Sequence, residues 1–247
     1  MDCARSTAAA RIAAWPWMAG LLLPLMAPGL ALAANLQISP VSISFRGAQN
    51  AANISLQNFG EQPLHGQVRV FTWDQKNGED VLVPATDVVA SPPIMEVAPK
   101  STQTVRLVRR NGQPVASEQT YRILIDEIPR GDAAGGGVAI RLQYSVPVFV
   151  LPADVQAAPR LAWSLLRKDG AWLLRARNDG QLHAQVGATS LRTAGKEIVM
   201  SKGLLGYVLP GRTREWKIGA GGAAIAFPAS VETMVNAQAL VVAAGQD

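Results

Sequence analysis

The chain has 247 residues, 49% hydrophobic and 17% charged, with a formal net charge of +5, one cysteine and two histidines. A single thiol excludes a disulfide-dense extracellular module and any cluster of thiolate metal ligands, so stability has to come from packing. The positive side chains are dispersed and only 6% of residues are aromatic, a pattern that argues against a nucleic-acid surface.

Residues 1–34 read as a secretory signal peptide. Arg5 and Arg11 give a positive start, Ile12 to Leu32 an apolar segment broken by Pro16, Pro24 and Pro28, and Ala31-Leu-Ala33 a small-x-small cleavage site. An uncleaved anchor is the competing reading, since the apolar segment is long enough to span. Cys3 precedes that segment, so it is no lipoprotein attachment point and leaves with the leader; loss of Asp2, Arg5 and Arg11 brings the net charge to +4. The expectation is an exported protein.

Beyond the leader no helical period is sustained, and short alternating segments recur between turn signals. Strands are expected at Val41–Phe45, Ala52–Asn58, Gln67–Trp73, Val81–Val83, Thr102–Val108, Gln119–Ile128 and Val138–Leu151. Phe59-Gly-Glu-Gln-Pro63, Asp74-Gln-Lys-Asn-Gly78 and Asn111-Gly-Gln-Pro114 separate them with turn-forming residues. A second series follows at Arg160–Leu166, Ala171–Arg177, His183–Leu191, Glu197–Met200, Thr213–Ile218 and Met234–Ala243, with Lys168-Asp-Gly170 as a hairpin signal. The fold class is all-β, with one sandwich over residues 35–153 and another over 154–247; a single larger barrel is the alternative.

The strand Val138–Pro152 stands out. Val138, Ile140, Leu142, Tyr144, Val146, Val148 and Val150 fall at two-residue spacing and share one face, while Arg141, Gln143 and Ser145 occupy the other near its start. It is roughly twice the usual strand length, so something must cover the excess. Either it is a core strand of a sealed sandwich or it serves another chain.

Enzyme templates are missing: there is no Gly-x-Ser-x-Gly, His-Glu-x-x-His, phosphate-binding Gly-rich loop or dinucleotide fingerprint. His65 and His183 are expected in a turn or at a strand end. Asp126 and Glu127 are neighbours on one strand and point to opposite faces, which rules out a dyad. Glu127 shares its face with Tyr121, Ile123 and Ile125, and Arg106 is the candidate partner in a structural ion pair. No catalytic residue, metal site or cofactor is expected.

The run Pro99-Lys-Ser-Thr-Gln-Thr-Val-Arg106, then Tyr121-Arg-Ile-Leu-Ile-Asp-Glu-Ile-Pro129, a Gly-rich loop and the strand ending Val148-Phe-Val-Leu-Pro152 resembles the periplasmic chaperones of the chaperone-usher pathway (PapD-like). The resemblance covers nearly all of the first mature domain and is looser in the second. It implies two immunoglobulin-like sandwiches arranged as a boomerang, which hold pilus subunits in the periplasm and deliver them to an outer-membrane usher. Strand addition is the expected mode, and chaperone–pilin complementation is a standard example of it. By correspondence, Val138, Ile140 and Leu142 would be the inserted anchors, with Tyr144 a fourth, and Gly135 to Gly137 would give the preceding loop freedom to order.

One departure from the family pattern concerns the cleft, where classical members use an arginine and a lysine to bind the subunit's terminal carboxylate. Ser42 and Pro147 stand at those places here, and Arg122 and Arg141 are the replacement candidates. Val146-Pro-Val-Phe149 resembles the divergent, archaic branch of the family. An unpaired apolar edge would also allow the free protein to cap itself as a dimer. The alternative function is that of a secreted carbohydrate-binding or adhesive β protein, which would display clustered aromatic side chains in a groove.

Overall fold

The computed structural model describes residues 36–128, 141–153, 158–219 and 225–247, and every regular element among them is a β-strand. In the first half these are β1 (Leu36–Ser39), β2 (Ile43–Phe45), β3 (Ala51–Asn58), β4 (Leu64–Lys76), β5 (Glu79–Pro84), β6 (Val88–Ser91), β7 (Ile94–Val97), β8 (Thr102–Arg109), β9 (Gln119–Ile128) and β10 (Gln143–Val150). They form two sheets, β1-β3-β8-β6 and β2-β10-β9-β4-β5, with β7 also on β4. Alternation fills the space between them. Ile54, Leu56, Val105 and Leu107 face Val68, Ile123, Ile125, Val146, Val148 and Val150, and each fully buried aliphatic chain is worth roughly 1.5–3 kcal/mol.

The second half contains β11 (Leu161–Lys168), β12 (Ala171–Asn178), β13 (Ala184–Thr193), β14 (Lys196–Ser201), β15 (Gly206–Val208), β16 (Thr213–Lys217), β17 (Ala229–Val235) and β18 (Gln238–Gln246). Its strands run in the order β14-β13-β17-β18-β11-β12-β16, with β15 on β13. The path folds over because β18 pairs antiparallel with β17 along its length and parallel with β11 only at Gly245 and Gln246. A separate core results, around Trp163, Leu165, Leu174, Val186, Leu191 and Val231. Two cores exclude the single barrel.

The same device closes a turn in each half. Asn58 and Asn178 are fully buried, and each ends a strand before an x-Gly pair, Phe59-Gly60 and Asp179-Gly180. Their Oδ1 atoms accept from the N–H of Gly60 at 2.8 Å and of Gly180 at 2.9 Å. Their Nδ2 groups donate to Gln62 O at 2.7 Å and Leu182 O at 2.8 Å, and onward to Val97 O and Val208 O, both at 3.1 Å. A buried amide so satisfied pins three backbone segments at once. Gly180 is obligatory here, because a Cβ would lie 2.3 Å from Ala158 O and 2.6 Å from Arg160 N.

Several expectations need correction. Met234–Ala243 is not one strand: Asn236 and Ala237 take positive φ values of 47° and 66° and turn β17 into β18. Asn236 suits such a turn but Ala237 does not, so the hairpin is only half legible in the sequence. β1, β6, β7 and β15 add to the expected strands, each being only three or four residues long. The Arg106–Glu127 pair does not form. Arg106 is exposed between inward-facing Val105 and Leu107 on the opposite sheet, while the buried arginine of β8 is Arg109, which donates to Gln49 O and Gln113 O at 3.0 Å.

Candidate functional site

β10 has β9 on one side over its whole length, with Gln143 opposite Asp126 and Val150 opposite Gln119. On its other side β2 pairs in parallel only with Val148 to Val150. The edge from Gln143 to Pro147 therefore has no strand partner among the described residues. An exposed edge of this kind invites another chain.

Side chains at even positions of β10 face the first core. Val146, Val148 and Val150 are buried, and Tyr144 is half-buried with its hydroxyl donating to Leu36 O at 3.3 Å. Burial, and then the Glu127 charge, push that hydroxyl above its ordinary value. Leu142 is also half-buried, and its carbonyl accepts the Glu127 N–H at 3.2 Å. Val138 and Ile140 lie outside the described residues, as do residues 1–34, Gly135 to Gly137 and the 154–157 segment.

Odd positions face the second sandwich. Phe149 joins Trp73 of β4 and Tyr207 and Leu209 of the second half in a third buried cluster. Trp73 meets Tyr207 edge-on at 5.5 Å between centroids, and the His183 ring stacks on Phe149 at 3.5 Å. His183 indeed stands just before a strand, but its role is a tie between the halves: its N–H donates to Glu118 Oε2 at 2.7 Å and its Nδ1 lies 2.5 Å from Glu118 Oε1. Gln75 is the second tie. It donates to Tyr207 O at 2.8 Å and accepts from Leu209 N–H at 3.0 Å. The tip of the β4–β5 hairpin makes a third, with Gly78 O accepting from Glu215 N–H at 3.0 Å and from Arg214 Nη1.

Arg122 stands in the cleft so formed, directly across from Pro147 in the β9–β10 register. Its guanidinium lies 3.7 Å above the Trp73 ring and 5.3 Å from that of Tyr207, with Nη1 3.4 Å from Ser145 Oγ. Burial lowers its pKa, opposed by the Asp80 charge, yet an arginine stays protonated. Among the described residues it makes no ion pair within 4.0 Å. A desolvated cation braced on an aromatic face and lacking a carboxylate partner there can take an anionic group. Arg141 is exposed and lies six positions from Pro147 along the strand line, a separation of about 20 Å. The two arginines are not brought together.

The interface aromatics were not anticipated as a cluster. Their signal is the run Val146-Pro-Val-Phe-Val150, apolar at odd as well as even positions, which marks a strand covered on both faces. Trp163, Trp172 and Trp216 pack within or against the second core, so with Trp73 buried these tryptophans build no displayed aromatic groove.

A family model, "Pili and flagellar-assembly chaperone, PapD N-terminal domain", matches residues 35–156. Among solved structures, the CsuC–CsuE chaperone–tip adhesion subunit pre-assembly complex from archaic Csu pili of Acinetobacter baumannii matches with 23% identity and a TM-score of 0.69, covering 87% of this chain and 100% of that one. The YadV chaperone matches with 18% identity and a TM-score of 0.61, over 85% of this chain and 99% of that chain. The E. coli chaperone DraB matches with 19% identity and a TM-score of 0.57, over 86% and 96%. At these identities the likeness is one of fold. Among curated proteins none matches.

Proposed function

Because this chain belongs to the pili and flagellar-assembly chaperone family, whose PapD N-terminal domain it carries at residues 35–156, we propose that it captures pilus subunits by lending them the free edge of β10. The observation that carries this reading is the unpaired edge from Gln143 to Pro147, which leads into the cleft under Arg122. Main-chain groups along that edge supply the pairing and alternate side chains fill the subunit's open groove. Val138, Ile140 and Leu142 are the anchors, and Tyr144, already half-covered by its own sandwich, stands at their limit.

Arg122 is the receptor for the subunit's terminal carboxylate. Its place across from Pro147 supports this, and the position of Arg141 at the other end of the strand argues against a shared role. Residues 1–34 are a signal peptide, the two sandwiches divide near residue 153, and the mature protein works in the periplasm. An outer-membrane usher receives the loaded chaperone. The free edge is open to self-capping by a second copy when no subunit is present.

The test is co-production in the periplasm with pilin-like subunits, followed by purification on a tag. The wild-type chain should bring down an incomplete β-sandwich subunit, and Ile140→Asp combined with Leu142→Asp should abolish capture while the free chain keeps its melting temperature. Undiminished capture by that double variant would remove these anchors from the reading.

A further inference from the structure

We propose that Pro147 is a register stop that makes the β10 edge selective for a strand ending in a free carboxylate; this rests on the reading that β10 pairs with an incoming strand. Just before β10 the Leu142 carbonyl accepts from Glu127 on the β9 side, while the Leu151 N–H just beyond the strand donates to Phe45 O on the β2 side at 2.9 Å. Main-chain groups alternate sides along a strand. Even residues therefore direct theirs to β9, and odd residues direct theirs to the open edge.

The open edge thus offers the N–H groups of Gln143 and Ser145 and then reaches Pro147, which has none. Proline is tolerated there for that reason, since a proline facing β9 would delete a ladder bond. The next odd residue, Phe149, is already within the β2 pairing. The donor row that an incoming strand can use runs out at Pro147, level with the half-buried Arg122.

A captured strand must leave the ladder at the point where the cation begins. For a chain terminus this is productive, because the carboxylate of the last residue, freed from main-chain pairing, can accept charge-assisted hydrogen bonds from the guanidinium. An internal segment would have to bend away from the edge and bury no anion under Arg122. Pro147 is in this sense a positioning residue: it touches the register, and Arg122 touches the carboxylate.

Amide hydrogen exchange along β10 provides the test, with the free chain compared with its complex with a pilus subunit obtained by co-production in the periplasm. In the wild type, Gln143 and Ser145 should slow at least about tenfold on capture. In Pro147→Ala the amide gained at position 147 should slow by a similar factor in the complex. Slow Gln143 and Ser145 beside a position-147 amide as fast as in the free variant would overturn the register stop and leave strand donation standing. Unprotected Gln143 and Ser145 in a complex that forms, or no complex at all, would overturn strand donation and the stop with it. Pro147→Val, which brings in a good strand former, serves the same measurement where the alanine variant folds poorly.

Discussion

Arg122 is the residue on which the chemistry of the cleft converges. Its guanidinium rests on Trp73 and approaches Tyr207, so it is desolvated from two sides of the joint. A charged hydrogen bond is worth about 1.5–3 kcal/mol. Arg122→Ala should therefore weaken subunit capture by roughly ten- to a hundredfold, read by titration of the subunit against the purified chaperone. Arg141→Ala should leave the affinity within about twofold, as expected of an exposed charge remote from the cleft. Equal losses for the two would refute the assignment. The proposed role of Arg122 is only half legible in the sequence: the uncharged Ser42 and Pro147 make it the replacement candidate, but its aromatic bed is built from residues far apart in the chain.

At the scale of elements, the β4–β5 hairpin matters most. β4 runs for 13 residues, so the hairpin outgrows its own sandwich and plants Gly78 against β16. Gly78 has φ +81°, and a Cβ there would lie 2.7 to 2.8 Å from three carbons of Glu215; Gly170 has nearly the same φ, +77°, with nothing within 4 Å. Gly170→Val should thus measure the conformational cost alone, on the order of 1–2 kcal/mol. Gly78→Val should cost more, and calorimetry should place its melting temperature several degrees below that of Gly170→Val, at about 2–4 °C per kcal/mol. The Asn77-Gly78 and Asp169-Gly170 turns were readable because both central residues take positive φ, which asparagine, aspartate and glycine tolerate. What Gly78 touches was not readable. Local turn chemistry is written in neighbouring residues, whereas docking against β16 depends on the placement of a second core.

The whole molecule is held as two sandwiches joined by packing and by charge. Asp74 and Arg212 lie on opposite sides of the joint with Oδ1 to Nε at 2.5 Å. Burial pushes the Asp74 carboxyl up, but the Arg212 hydrogen bond, the Gln75 N–H and the Arg212 charge together outweigh it and hold the group below its ordinary value. A carboxylate with a depressed folded value stabilises above its unfolded value near about 3.9 and loses that contribution as pH falls through the folded value. The protein should lose melting temperature on acidification below about pH 4, and Asp74→Asn should flatten that part of the profile while lowering the neutral plateau. An identical acid limb in both proteins would assign the loss elsewhere. The two-sandwich division was legible from strand spacing and turns. The joint was legible only at Phe149, through the apolar run on both faces of β10; Trp73, Tyr207 and Gln75 occupy positions that periodicity alone does not assign to an interface.

The cluster of Trp73, Phe149, Tyr207 and Leu209 has a bearing on how far the leading sandwich can stand alone. Its first two members belong to the leading sandwich and its last two to the second, so the leading sandwich on its own would leave an apolar face uncovered. Tyr207 and Leu209 seal that surface and also supply the two backbone partners of Gln75. The leading sandwich is thus whole in its own core and open only on the face that the second half covers.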